Sequence, residues 1–179
     1  MKRIYLVRHC KAVGQDAQAV LTEEGKQQAE DLADFFQNKN IEYIISSPFI
    51  RTINTIKPLS MSIKLKINIE DRLEERILST AHLEHWMELL ERTYTDYDLK
   101  FEGGESSKEA VNRGMKVIQE MIARPEETIV IVTHGALMSL LIKHYNKEFG
   151  FEDWKSLSNP DIYKLEIHDN KSTIERIWR

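Results

Sequence analysis

Residues able to do anion and acid–base chemistry stand where apolar, β-rich runs end. Arg8 and His9 follow the run 2–7, and Thr133-His134-Gly135 follows the run 128–132. Ser46-Ser47-Pro48 leads from the run 42–46 to Arg51, and Asp71, Glu74 and Glu75 follow the alternating stretch 64–69. Two arginines, two histidines and a carboxylate at neighbouring exits suit an anion pocket with a proton donor beside it. Arginine presents a planar fork that grips phosphate through paired hydrogen bonds. Neutral imidazole is a good nucleophile near pH 7, and its phosphoramidate is reactive enough to be hydrolysed in a second step. With Pro48 read as the first residue of a helix, Arg51 falls in the first turn, where the macrodipole disfavours a cation. A bound anion would resolve that conflict. On residue types alone, an Arg51 paired to a nearby acid remains equally open. A lone histidine at such an exit is more often structural, though two beside two arginines shift the weight toward chemistry.

The elements that must position these residues alternate in type. After strand 2–7, a helix opens at Thr22 with Glu23 and Glu24 in its first turn and Gly25, Ala29, Leu32, Ala33 and Phe36 on one face. Strand 42–46 leads to the helix begun at Pro48. Leu83, Trp86, Met87 and Leu90 form a helical stripe within 80–92, with Trp86 expected in the core. Ser106 and Glu109 fit a capping box, opening a helix whose buried face carries Ala110, Val111, Val117, Ile118, Met121 and Ile122. The β-branched run 128–132 is expected to be covered on both faces, with helix 137–145 directly after it. Segments 162–167 and 173–178, joined through Asp169-Asn170, form a terminal hairpin. The fold expected is a three-layer α/β/α sandwich with a mostly parallel central sheet and a C-terminal antiparallel hairpin. Ligands of such sheets bind at the carboxyl ends of the strands.

Composition narrows the function classes. The chain has 179 residues, 41% hydrophobic and 30% charged, and reads as one domain over 1–179 with no repeat or linker. The net charge of -4 comes without any run of like charge, which disfavours nucleic acid as a partner. A mean hydropathy of -0.45 and the lack of a long apolar run exclude a helical membrane span. The apolar start stops at Arg8-His9, too early for a secretory leader, so a cytoplasmic location is expected. The single cysteine, Cys10, excludes an internal disulfide and a thiolate zinc cage.

Six short strings, in order along nearly the whole chain, resemble the signatures of the histidine phosphatase superfamily, the phosphoglycerate-mutase-like enzymes. Arg8-His9-Cys10 resembles its Arg-His-Gly, Leu21-Thr22-Glu23-Glu24-Gly25 with Ala29 its "LTxxGxxQA", and Ser46-Ser47-Pro48-Phe49-Ile50-Arg51-Thr52 its "SSPxxRA", with Thr55 following. Leu73-Glu74-Glu75 is similar to its "L-x-E", Gly103-Gly104-Glu105-Ser106 to its "GGES" with Arg113 beyond, and 130–135 to its "VxVSHG". The resemblance implies His9 as a nucleophile that becomes phosphohistidine. It implies Arg8, Arg51 and His134 as the groups that hold the phosphoryl oxygens, with Gln15 and Gly135 also in the substrate site. Glu75 would be the general acid and then the base that activates water, with Glu74 the neighbouring alternative. Two arginines should disfavour a proton on Glu75, and a bound dianionic phosphate would offset them. No metal and no cofactor is implied, and the partner is a small phosphorylated substrate.

The resemblance points to a phosphatase branch, a phosphoric monoester hydrolase of the histidine acid phosphatase type. A phosphohistidine protein phosphatase is the alternative, disfavoured by Glu75 and the "GGES" helix. A phosphoglycerate mutase and an inactive phosphate-binding module are further readings. The pattern departs in several places. Cys10 replaces a glycine, which is tolerable at negative φ. Beside Arg8 its thiol is expected either to ionise and react reversibly with peroxide or to be a buried, inert filler. Gln15 replaces a common asparagine and would donate an amide to phosphate. The loop from His9 to Leu21 is short, and Arg76-Ile77-Leu78-Ser79-Thr80 replaces the usual "fGxWEG", so leaving-group contacts transfer least. His82 and His85, at helical spacing, suit a polar helix face or a contact to the distal end of the substrate better than a metal pair. Lys11 would attract an anion or be solvated.

Overall fold

The computed structural model describes residues 1–179. Its elements run β1 (Lys2–Arg8), α1 (Glu23–Phe36), β2 (Tyr43–Ser46), α2 (Ile50–Ile63), β3 (Ile67–Ile69), a 3-10 turn (Asp71–Leu73), α3 (Trp86–Arg92) and α4 (Ser107–Ala123). Then follow β4 (Thr128–Thr133), α5 (Gly135–Tyr145), α6 (Phe151–Lys155), β5 (Asp161–His168) and β6 (Lys171–Arg176). The six strands form one sheet in the order β3-β2-β4-β1-β5-β6. The first four are parallel, and β5 and β6 add antiparallel at the β1 edge. The expected α/β sandwich and terminal hairpin are both present.

Strand alternation divides the core into two layers. Ile4, Leu6, Ile45, Ile129 and Ile131 face one layer with Val117, Ile118 and Met121 of α4 and Leu137, Leu140 and Leu141 of α5. Tyr5, Val7, Ile44, Val130 and Val132 face the other, with Leu32, Ala33 and Phe36 of α1 and Ile56 and Leu59 of α2. Successive side chains point to opposite faces, so a run that is apolar at every position is covered on both sides. The Asp169-Asn170 turn places both residues in the left-handed region, at φ 45° and 64°, as a two-residue hairpin requires.

Three elements differ from expectation. Helix α2 begins at Ile50, with Phe49 as its N-cap, so Pro48 precedes the helix rather than opening it. Arg51 remains in the first turn. The stripe at 80–92 yields a helix only from Trp86, because His85 takes a left-handed φ of 56° and ends any helix upstream. Trp86 is 50% exposed and Met87 40%, and only Leu90 of the stripe is buried. The expected core role of Trp86 is therefore wrong: helical spacing was present, but no neighbouring element covers that face. Helix α6 was not foreseen, being five residues long with only the Asp153 bond to the Gly150 amide as a start signal.

Candidate active site

The register of the sheet brings the ends of β1, β4 and β2 level. Arg8 pairs with Thr133 and Ser46 with Val132. The chain continues in register for one residue more, with His9 N–H donating to the Thr133 carbonyl at 3.2 Å and Ser47 N–H to the Val132 carbonyl at 3.0 Å. His9 therefore leaves β1 beside His134 leaving β4, their ring centroids 5.3 Å apart. The His9 Nδ1 lies 2.7 Å from the Cys10 carbonyl. A carbonyl only accepts, so Nδ1 carries the hydrogen and Nε2 keeps its lone pair. Arg51 Nε lies 3.3 Å from that Nε2. The His9 pKa is depressed to about 4: burial is the main cause, and Arg51 and Arg8 lower it further against the Cys10 bond. His9 is thus a neutral imidazole near pH 7.

Both arginines are held from behind. Arg51, 1% exposed, donates from Nη1 to the carbonyls of Gln15 and Asp16 at 3.0 and 2.8 Å and lies over the Phe49 ring. Arg8 donates from Nη1 to the Leu157 carbonyl at 3.1 Å, and its buried Nε has no partner. Burial depresses both guanidinium pKa values, and the Glu75 carboxylate acts in the opposite direction on each. Gly135 allows this packing. A Cβ there would stand 2.8 Å from Arg8 Nε and 2.9 Å from Cζ. Gly135 thus enters the site as the surface on which Arg8 lies.

His134 is fully buried. Its Nε2 lies 2.8 Å from Ser47 Oγ, Phe49 packs edge-on at 4.9 Å, and its Nδ1 is without a partner. Burial, with His9, Arg51, Arg113 and Arg8 nearby, drives its pKa far below the ordinary value. The site thus gathers two cations, one imidazole nitrogen whose lone pair meets only the Arg51 Nε–H, and one buried imidazole nitrogen without a partner.

The two candidate acids occupy different settings. The Glu75 carboxylate sits at the N-terminus of α5, where Oε1 accepts from Leu137 N at 2.9 Å and Arg76 N at 2.8 Å, and Oε2 from Ala136 N at 3.0 Å. A carboxylate suits the positive end of a helix. Glu74 lies beside it on a cavity of about 290 Å³ shared with Asp71, Glu75, Ile77, Gly103, Gly104, Glu105 and Arg113. Arg113 fastens this segment to α4, pairing with Glu105 and donating to the Arg72 and Glu74 carbonyls at 2.7 and 2.9 Å. Thr133 Oγ1 adds a bond to the Leu73 carbonyl.

The remaining singled-out residues separate. Gln15 has an exposed side chain and reaches the site through its carbonyl on Arg51. Cys10 has no positive φ, and its thiol is fully buried, with burial pushing its pKa up to about 12. The thiolate expected beside Arg8 is therefore not favoured, and the inert-filler reading holds. His82 and His85 precede α3 as exposed loop residues, not one helix face, and no group of three or more metal-ligating side chains gathers anywhere. Lys11 is exposed and paired with Glu24 at 2.6 Å. Sequence reasoning missed Asn159, whose amide donates to the His9 carbonyl at 2.8 Å, and the carbonyl of Leu157 on Arg8. These lie in the loop before β5, and β5 reaches the site because Asp161 pairs with Arg8. No local motif marks them.

Known proteins resemble this chain in sequence and in fold. Phosphoserine phosphatase 1 of Hydrogenobacter thermophilus is 29% identical over 77% of this chain and 73% of its own length. A protein named "Probable phosphoglycerate mutase GpmB" of Proteus mirabilis is 27% identical over 79% of this chain and 74% of its own. Among solved structures, the phosphoserine phosphatase of Entamoeba histolytica superposes with a TM-score of 0.82 at 19% identity, covering 100% of this chain and 98% of that one. A mycobacterial glucosyl-3-phosphoglycerate phosphatase with inorganic phosphate gives 0.81 at 23% identity, covering 99% and 97%. Residues 4–178 match the family model for the histidine phosphatase superfamily, branch 1, and the chain belongs to that superfamily.

Proposed function

We propose that this chain hydrolyses a small phosphomonoester through a phosphohistidine at His9, without a metal. The observation that carries the reading is the His9 ring itself. Its Nδ1–H is spent on the Cys10 carbonyl, and Nε2 keeps its lone pair, which accepts a long hydrogen bond from Arg51 Nε until a phosphoryl group takes that guanidinium. In the first step Nε2 attacks phosphorus, and the P–O bond to the leaving group breaks. Arg8, Arg51 and His134 take the three phosphoryl oxygens and stabilise the charge spread over them. Glu75 supplies the proton to the leaving oxygen. Its Oε1 already accepts two backbone N–H groups and its Oε2 one, so Oε2 has the spare lone pair that can carry the proton. In the second step the same oxygen takes a proton from water, which attacks the phosphohistidine and releases phosphate.

Hydrolysis is favoured over mutase chemistry because a mutase must shield its phosphoenzyme from water with a lid. Between Glu75 and α4 the only regular helix is α3, seven residues long and mostly exposed. The names of the phosphoserine phosphatase relatives support a small phosphorylated metabolite as substrate. A panel of phosphomonoesters assayed in EDTA tests this reading. Phosphate release should persist in the chelator, and 3-phosphoglycerate with catalytic 2,3-bisphosphoglycerate should give little 2-phosphoglycerate. Mutase turnover well above phosphate release would overturn the reading.

A further inference from the structure

We infer that Ser47 is a positioning residue that fixes the tautomer of His134, so that His134 offers an Nδ1–H to a phosphoryl oxygen. The inference rests on the phosphatase reading for its purpose but on hydrogen-bond accounting for its substance.

Ser47 is fully buried, and its hydroxyl touches two polar groups. The Phe49 N–H donates to Oγ at 3.3 Å, and His134 Nε2 lies 2.8 Å away. A hydroxyl has one hydrogen and two lone pairs. The Phe49 amide occupies one lone pair, since an amide N–H can only donate. The hydroxyl hydrogen must go to an acceptor, and His134 Nε2 is the only one it reaches.

Two arrangements are possible for a neutral His134. If Ser47 donates to Nε2, the ring hydrogen sits on Nδ1, and that N–H is the single group left unpaired. If Nε2–H donates to Ser47, the hydroxyl hydrogen is buried without an acceptor and the Nδ1 lone pair is buried without a donor. The first leaves one buried polar group unpaired and the second leaves two, so the first arrangement is preferred. In either arrangement Nδ1 is buried without a partner. In the first arrangement that atom is a donor awaiting an anion, whereas in the second it would turn a lone pair on a phosphoryl oxygen and repel it. A doubly protonated ring would donate at both nitrogens, but full burial beside His9, Arg51, Arg113 and Arg8 opposes that charge. Ser47 therefore makes His134 a donor that stays neutral. The two histidines are then set oppositely: the Cys10 carbonyl keeps the hydrogen on Nδ1 of His9 and bares Nε2 for attack, while Ser47 occupies Nε2 of His134 and aims Nδ1–H.

The test is long-range 1H–15N NMR of the imidazole rings in the ligand-free protein, with His134 assigned by comparison with His134→Asn. The wild type should show the Nδ1–H tautomer at His134. Ser47→Ala should shift it toward Nε2–H, weaken competitive inhibition by inorganic phosphate about tenfold or more, and lower the affinity without moving the pH profile. Ser47→Thr, which keeps the hydroxyl, should restore the wild-type tautomer. An Nε2–H tautomer in the wild type overturns the assignment whatever happens to the variants. So does an unchanged Nδ1–H tautomer in Ser47→Ala. The tautomer is read in the resting protein, so failure of the phosphatase reading would appear in turnover and failure of this assignment in the spectrum.

Discussion

Gly135→Ala separates the needs of the site from those of the fold. Gly135 does not use a positive φ, so its backbone accepts alanine. Replacing glycine at a compatible position stabilises by about 0.4–1 kcal/mol through the unfolded chain. Against this, the new Cβ would stand 2.8 Å from Arg8 Nε, about 0.6 Å inside ordinary contact. The guanidinium is the far end of a flexible side chain, so it moves, and its bond to the Leu157 carbonyl at 3.1 Å weakens. That loses about 1 kcal/mol, so the two stability effects roughly cancel. Catalysis has no such compensation. A misplacement of about 1 Å can cost about a hundredfold, so about 0.6 Å should lower kcat/KM by roughly ten- to a hundredfold, or about 1.4–2.7 kcal/mol. The assay is nitrophenyl phosphate turnover beside thermal unfolding. The expected result is a large loss in kcat/KM with Tm almost unchanged. If kcat/KM stays within about twofold of wild type, the view that Gly135 serves by seating Arg8 is refuted.

Further expectations concern the acid, pH and the thiol. Nitrophenolate leaves without a proton and an alkoxide does not, so Glu75→Gln should slow alkyl phosphates far more than nitrophenyl phosphate. A selective loss in Glu74→Gln instead would move the acid to Glu74. Because the folded His9 pKa of about 4 lies below its ordinary 6.5, the unfolded chain binds a proton between these values that the native state does not. Stability from this group is complete above about pH 6.5 and is lost as pH falls toward about 4. His134, also held far below its ordinary pKa, adds a slope of the same sign. His9→Asn should therefore lessen the Tm–pH slope in that window without abolishing it, and an unchanged slope would refute the assignment. Cys10, buried with its thiol pKa pushed up to about 12, should resist dithiobis-nitrobenzoate and peroxide in the native protein while reacting after denaturation. Rapid native labelling would contradict this.

Much of the frame was legible in local pattern. The stretches 4–7 and 129–132 are apolar at every position because both faces of β1 and β4 are covered. Once those strands were placed, Arg8, His9 and His134 followed as exit residues, and the observed register put them side by side. Ser106 and Glu109 announced α4, and both capping bonds are present. What escaped depends on contacts distant in the chain. The stripe through Trp86 had helical spacing, yet burial needs a partner that the sequence does not display. Pro48 suited a helix start, but Phe49 takes the extended N-cap conformation and delays α2 to Ile50. Asn159 and the Leu157 carbonyl join the site only because β5 closes antiparallel on β1, where Asp161, buried and paired with Arg176, fixes the loop. Ser47 was visible as part of a motif, but its bond to His134 is a tertiary fact.

The most direct test of the account is quench-flow with a 32P-labelled phosphomonoester in EDTA, followed by peptide mapping. Acid-labile, alkali-stable label should form within a single turnover, map to His9 and decay as phosphate appears. His9→Ala should show neither label nor turnover. Label on another residue, or turnover that persists in His9→Ala, would contradict it.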